Sequence, residues 1–188
     1  MSNDETFKAF FDAFNEAASV FYGRDGRPPV SLGFGPVRDG SLAFVPMPMD
    51  ASEVRLLAVF GRAFADSLCA DYFAVAMDMW RASYVEGEDT SVPPRERPDR
   101  REGVAVFAYR RQAVPLASTA YWEVKRGPGG ERFLEQVETD GPGFTGGRVL
   151  EWSSRVLSPE PPDEARVAKA RAYLPVIKAL VLLKAVSP

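Results

Sequence analysis

The segment from Tyr72 to Arg81 constrains the fold more than any other part of the sequence. Its residues alternate with a period of two, and apolar side chains occupy both sides of the alternation. A strand that is apolar on one side can face water on the other, whereas a strand that is apolar on both sides needs cover on both faces. The pattern therefore predicts a central strand of a sheet.

Further strand patterns surround this one. Before it, residues 30–35 and 41–47 flank Arg38-Asp39-Gly40, and an Asp-Gly pair is typical of a tight hairpin turn. After it, the glycine-rich residues 127–130 predict another turn. The period of two returns four times, in residues 104–110, 116–126, 132–139 and 148–152. We expect these last strands to form an antiparallel meander.

Three segments carry the period of an amphipathic helix. In the first, five phenylalanines share one stripe, and Gly23 can end the helix. They are Phe7, Phe10, Phe11, Phe14 and Phe21. The second segment follows Asp50, which forms a capping-box pattern with Glu53. The third spans residues 163–186 and contains Pro175, which should kink or divide the helix.

The order of these elements indicates the fold class. Strand patterns are clustered rather than alternating regularly with helices, which argues against a doubly wound parallel sheet. We expect an α+β fold: a mainly antiparallel sheet of about six or seven strands, with the N-terminal, middle and C-terminal helices packed on one face of it. No repeat or linker divides the chain. We therefore expect a single domain over residues 1–188, with a long charged loop at 82–103.

The composition excludes several kinds of active site. The chain has no histidine and one cysteine, Cys69. Ser-His-Asp and Cys-His mechanisms need an imidazole to take a proton, and zinc sites usually need clustered His and Cys ligands. Asp66 and Asp71 lie near Cys69 in sequence, and carboxylates disfavour a thiolate. We expect an inert, partly buried thiol, no metal and no cofactor.

Gly141, Gly143 and Gly146 have the spacing of a dinucleotide-binding motif. In such a site the glycines follow a strand and begin a helix whose N-terminus receives the pyrophosphate. Here Pro142 lies inside the motif, and a strand pattern follows instead of a helix. We interpret the segment as a connection between strands.

Asp78 is a weak candidate for catalysis. It lies among apolar residues on the predicted central strand, where desolvation could raise its pKa and make it a usable acid or base. Hydrolysis or magnesium binding would need a second carboxylate, and Glu123 or Glu135 on later strands could supply it. An aspartate in such a place more often pairs with an arginine or faces solvent. Whether the protein is an enzyme therefore stays open, and we favour a protein without catalytic activity.

Arginines concentrate where the charge of the chain changes sign. Residues 1–94 carry a net charge of −7 and residues 95–188 carry +4. Six arginines lie at the start of the second part: Arg95, Arg97, Arg100, Arg101, Arg110 and Arg111. Interleaved with aromatic residues, they could bind carboxylates of a protein or phosphates and bases of a nucleic acid. The same mixture also fits a loop whose charges neutralise one another.

The same stretch resembles a known kind of sequence. An apolar strand ends in Asp78-Met79-Trp80, an acidic loop follows, and Arg97-Pro98-Asp99-Arg100-Arg101-Glu102 leads into the strand at 104–107. This arrangement resembles a pattern in small uncharacterised phage and prophage-type bacterial proteins. The resemblance implies an accessory protein of a phage or other mobile element, and it implies no activity.

Three functions follow from these observations, in order of preference. The first is a cytoplasmic, non-enzymatic protein that binds another macromolecule, in the first place a protein, through the arginine-rich segment or the adjacent sheet face. The second is a nucleic-acid-associated protein that uses the same arginines, and the third is a carboxylate-dependent hydrolase. We expect no membrane association, because the apolar stretch at 172–186 is interrupted by Pro175, Lys178 and Lys184. The oligomeric state stays open.

Overall fold

A computed structural model describes residues 3–23, 30–35, 42–47, 54–82, 91–111, 116–137 and 152–186. The helices are α1 (Asn3–Tyr22), α2 (Val54–Leu68) and α3 (Glu164–Val186). The strands are β1 (Val30–Gly35), β2 (Ala43–Met47), β3 (Tyr72–Arg81), β4 (Arg101–Arg110), β5 (Leu116–Arg126) and β6 (Arg132–Val137). A 3-10 turn, Pro94–Glu96, lies in the described part of the connection between β3 and β4.

The six strands form one sheet in the order β2-β1-β3-β4-β5-β6. Every neighbouring pair is antiparallel. The prediction of an α+β fold built on an antiparallel sheet is confirmed, with six strands. β3 lies inside the sheet between β1 and β4, as its two apolar sides predict.

Helices cover both faces of this sheet, so the expectation that they pack on one face is wrong. On the α1 face, the helix packs against Tyr72, Ala74 and Ala76 of β3. On the opposite face, the α2–α3 face, the intervening residues of β3 share a core with both other helices. The sequence of β3 already indicated cover on both faces, because a strand that is apolar on both sides needs a packed layer against each face.

The phenylalanine stripe of α1 lies against two glycines of β1. Phe7, Phe10 and Phe14 are buried, and a Cβ at Gly33 would overlap the ring of Phe14. A Cβ at Gly35 would lie 2.6 Å from the ring of Phe10. The absence of side chains at these two positions therefore lets α1 approach the sheet closely.

Two predicted element boundaries differ in the structure. β4 begins at Arg101, so the charged loop expected at 82–103 is shorter than expected, and Pro94–Glu96 gives it local order. The strand expected at 148–152 is wrong at Trp152, which is helical, while 148–151 lie outside the described residues. Trp152 is buried beside Phe73, with ring centroids 6.4 Å apart. A run of five residues is too short for its periodicity to separate a strand from a helical turn.

α3 is not divided at Pro175, which lies inside the continuous helix. Asp163 caps this helix, because its Oδ1 accepts a hydrogen bond of 2.8 Å from the backbone N–H of Arg166. α3 packs against α2, and tertiary packing supplies most of the stability of a helix in a protein. Of the helices that the structure describes, none is long and apolar enough to cross a membrane.

The turn between β5 and β6 is confirmed at residues 127–130. The N–H of Gly130 donates a hydrogen bond of 2.9 Å to the carbonyl of Gly127, and Gly130 has a φ of 84°. Three other predicted features lie outside the described residues: the Asp-Gly turn at 38–40, the capping box at 50–53 and the glycine-rich segment at 141–146.

Candidate functional site

β3 and β4 change character at one end of the sheet. The first six residues of β3 are buried, whereas Asp78 to Arg81 are half-buried or exposed. β4 runs the other way, with Arg101 exposed and its middle buried. Arg81 pairs with Arg101, and Arg126 of β5 pairs with Arg132 of β6 at the same end. We call this region the charged end of the sheet.

A tryptophan and an arginine stack at the charged end. Trp80 is 42% exposed, and the Cζ atom of Arg100 lies 5.4 Å from the centroid of its indole ring. This distance is within the range of a cation–π interaction. Trp80 lies on the α1 face, because it is an even number of residues from Ala74 and Ala76.

A buried arginine joins three strands on the same face. The side chain of Arg132 is 6% exposed, and its Nη1 atom donates a hydrogen bond of 2.7 Å to Oε1 of Glu102. Its Nη2 atom lies 3.7 Å from Oδ1 of Asp78. Arg132 on β6 therefore neutralises carboxylates on β4 and β3.

The pair of carboxylates expected around Asp78 is not formed. Asp78 pairs across the sheet with Val104, and Val104 pairs with Trp122. Glu123 follows Trp122, so it points to the α2–α3 face, and Glu135 pairs directly with Glu123. Asp78 faces Arg132 instead. This is the pairing with an arginine that the sequence analysis gave as the alternative to a catalytic role.

Glu123 and Glu135 belong to a separate charge network on the α2–α3 face. Lys125 donates a hydrogen bond of 2.7 Å to Glu123 and lies 3.6 Å from Glu135. Arg101 lies 3.3 Å from the second oxygen of Glu123. The hydrogen bond from Lys125 lowers the pKa of Glu123, and the same bond raises the pKa of Lys125.

Tyr121 lies between these charges and the core. It is buried, and burial raises its pKa to about 12. The guanidinium of Arg81 lies over its ring at 5.3 Å. A Cβ at Gly103 would overlap the hydroxyl of Tyr121, so the phenol fits only because β4 has glycine at this position.

Four of the six predicted binding arginines lie at the charged end, but they have different surroundings. Arg95 pairs with Glu96 at 3.4 Å, and Arg97 donates to Asp99 at 2.9 Å. Arg101 pairs with Glu123. Arg100 differs from these three, because it contacts the ring of Trp80 rather than a carboxylate of the described residues.

The other two predicted arginines lie at the opposite end of β4 and contact this chain. Arg110 pairs with Asp4 at 2.6 Å and lies over the ring of Phe7. Arg111 donates hydrogen bonds to the backbone carbonyls of Ser158 and Glu160, both at 2.7 Å, and of Ala70 at 2.5 Å. Burial lowers the pKa of Arg111. The structure therefore uses Arg111 to hold three chain segments together.

The sequence interpretation missed three residues of the charged end as site candidates. They are Trp80, Arg81 and Arg126, and each lies at or next to the end of a strand. A signal for them exists in the sequence, because the continuous apolar pattern of β3 stops at Asp78. Residues past that point lie beyond the buried part of the strand, where they can reach a partner.

The thiol and the acidic groups offer little for a metal or cofactor. Cys69 is exposed, which corrects the expectation of a partly buried thiol. The chain turns there with a φ of 53°, which carries the residue away from the core at the end of α2. Within the residues that the structure describes, no group of three His, Cys, Asp or Glu side chains could hold a metal ion.

Comparisons with protein-family models, with curated proteins and with solved structures find no match for this chain.

Proposed function

We propose that this chain is a cytoplasmic, non-enzymatic binding protein whose partner is another protein, and that the partner docks at the charged end of the sheet. The observation that carries the proposal is the stacked pair of Trp80, 42% exposed, and Arg100. Tryptophan and arginine are the residue types that most often dominate the binding energy of protein interfaces. A large, partly exposed ring at a strand end, with a guanidinium over it, can make this kind of contact with a partner.

Preorganisation adds to this argument. β1 pairs with residues 72–77 of β3, and beyond them Trp80 pairs with Glu102 of β4, so the backbone that carries Trp80 is held in the sheet by β4. Arg100 directly precedes β4, whose first residue pairs with Arg81. A partner that binds here loses little side-chain or loop entropy on the side of this protein, which favours affinity.

The ion pairs of the arginine-rich segment favour a protein over a nucleic acid. Arg95, Arg97 and Arg101 each lie beside a carboxylate of this chain. Affinity for nucleic acid comes mainly from cations that neutralise several phosphates at once. Arginines already neutralised by neighbouring acids contribute little to such binding, whereas the mixture of charge and an exposed aromatic ring suits a protein interface.

The resemblance to phage-type proteins suggests where the partner occurs. We propose an accessory protein of a phage or other mobile element, with a partner in the host cell or the infected cell. The experiment is capture of proteins by the tagged full-length chain from both kinds of cell.

The test depends on a comparison of variants rather than on capture alone. We expect the wild-type chain to retain a partner that Trp80→Ala loses. The matched control is Tyr173→Ala, because Tyr173 is also a large exposed ring, 53% exposed, but lies on α3. A partner retained equally by Trp80→Ala, or no partner from either kind of cell, would contradict the proposal. Nuclease-sensitive capture would instead point to nucleic acid.

A further inference from the structure

Three arginines at the charged end have no carboxylate partner among the residues that the structure describes: Arg81, Arg100 and Arg126. Two of them lie over aromatic rings, Arg100 over Trp80 at 5.4 Å and Arg81 over Tyr121 at 5.3 Å. The other arginines of this region each have an acid of this chain: Arg95, Arg97, Arg101 and Arg132. Arg81, Arg100 and Arg126 therefore keep a positive charge that no carboxylate of the described residues neutralises in an ion pair.

The register of the sheet places Arg100 and Arg126 close to each other on the α1 face, whereas Arg81 points to the α2–α3 face, where it lies over Tyr121. Arg81 is paired with Arg101, the residue that follows Arg100. Glu123 lies opposite Gly103, so Arg126, three residues further along β5, lies at the same end. Neighbouring strands are about 4.8 Å apart, so β3 and β5 end about 10 Å from each other. A few residues of an extended peptide span this distance.

Three acids of this region, Asp78, Glu102 and Glu123, are already bound within the chain. Arg132 contacts Glu102 and Asp78 on the α1 face, and Lys125 and Arg101 contact Glu123 on the other face. Because these carboxylates have nearby cations of their own, they weaken the remaining positive charge less than their number suggests. The remaining charge is small and lies beside an apolar ring.

We propose that the partner contacts the charged end through an acidic segment. In this arrangement its carboxylates bind Arg100 and Arg126, and an apolar side chain lies on the exposed part of Trp80. This inference rests on the proposed function, because it names the chemistry of the protein that docks there. A guanidinium is planar, and one that lies over a ring by its face still has the N–H groups at its edge for bidentate binding of a carboxylate.

Binding of labelled model polymers to the full-length chain tests the inference. The probes are fluorescein-labelled decaglutamate, decalysine and a ten-nucleotide oligothymidylate, measured by anisotropy at low salt. We expect decaglutamate to bind and decalysine not to bind. Arg100→Gln should weaken decaglutamate binding about three- to fivefold, which is the loss of one exposed ion pair.

The matched control is Arg95→Gln. It removes the same charge from the same segment, but Arg95 already pairs with Glu96, so we expect less than half the effect of Arg100→Gln. Unchanged circular dichroism of both variants excludes unfolding as the cause. Equal losses in the two variants would show non-specific attraction between charges and would overturn the inference.

Two other results would also overturn it. Tighter binding of the oligothymidylate than of decaglutamate would favour a nucleic acid at this surface. Absence of decaglutamate binding would exclude an acidic segment as the contact. The proposed function has its own test, because a partner that is captured by the wild-type chain and lost by Trp80→Ala would still show a protein interface of another chemistry.

Discussion

The two halves of β3 differ in cover and in chemistry. Residues 72–77 lie between α1 on one face and the core shared with α2 and α3 on the other, and all of them are buried. α1 ends at Tyr22, whose hydroxyl donates a hydrogen bond of 2.9 Å to the carbonyl of Ala76. Residues 78–81 lie past this point and carry Asp78, Trp80 and Arg81.

The comparison shows how one strand can serve both the core and a surface. The buried half fixes the position and direction of the strand through apolar contacts on two faces. The exposed half continues the strand beside β4, and the carboxylate of Asp78 lies beside Arg132 of β6. Changes in the buried half should therefore alter stability, and changes in the exposed half should alter binding.

The largest expected effect is in the contact between α1 and β1 beside the buried half. Phe14→Ala removes a fully buried ring and should lower the free energy of unfolding by about 3–5 kcal/mol. Gly33→Ala places a methyl group against the same ring and should cost about 1–3 kcal/mol. Urea denaturation measures both. The control is Gly129→Ala in the exposed β5–β6 turn, and a Gly33→Ala protein as stable as this control would contradict the close approach of α1.

A second prediction concerns Arg111, at the covered end of the sheet. Arg111→Met keeps the apolar stem but leaves the carbonyls of Ala70, Ser158 and Glu160 without their donor. We expect a loss of about 2–3 kcal/mol in the free energy of unfolding. Arg110→Met, which breaks the exposed pair with Asp4, should cost less than about 1 kcal/mol. Similar losses in the two variants would show that Arg111 does not hold these segments.

A third prediction is a loss of stability at high pH. Burial raises the pKa of both Tyr109 and Tyr121 to about 12, whereas the ordinary pKa of a tyrosine is about 10. Between these values the unfolded chain loses phenolic protons that the folded chain keeps, so stability is fully present below pH 10 and falls as the pH rises towards 12. Each tyrosine should contribute about 1 kcal/mol per pH unit.

Replacement of one phenol tests this dependence. Tyr121→Phe should make the fall in unfolding free energy between about pH 10 and pH 12 less steep than in the wild type. Tyr173→Phe, which removes the hydroxyl from a ring that is 53% exposed, is the control for the substitution itself. Identical slopes for Tyr121→Phe and the wild type would show that the phenol of Tyr121 ionises normally.

The smallest expected effect on stability is at the charged end itself. Trp80→Ala removes a ring that is already 42% exposed and should lower the free energy of unfolding by less than about 1 kcal/mol. Thermal denaturation measures this change. A loss as large as that of Phe14→Ala would mean that Trp80 belongs to the core, and the contrast between the two halves of β3 would fail.

Local periodicity was sufficient to predict most of the elements. β3 and β5 have the predicted bounds, and the phenylalanine stripe of α1 predicts its buried side. The expectation of helices on one face failed although the sequence contained the opposing signal in β3. The segment at 148–152 failed at Trp152 because five residues do not separate the two periods.

The candidate site was predicted only in part. Arg100 and the region around Asp78 were identified from residue type and clustering, but clustering could not rank the six arginines. Arg111 binds backbone carbonyls from two distant segments, and Arg110 binds Asp4. These partners are far away in sequence, so no local pattern reveals them.

The sequence by itself determined where strands and helices form and which end of β3 stops being apolar, because side-chain periodicity is a local property. Only the tertiary structure decided which charges are neutralised. Strand register places Asp78 on one face and Glu123 on the other, and it brings Arg132 to Asp78 and Glu102 across the sheet. Ion pairs depend on distances of a few ångströms between strands, and those distances arise only when the sheet assembles.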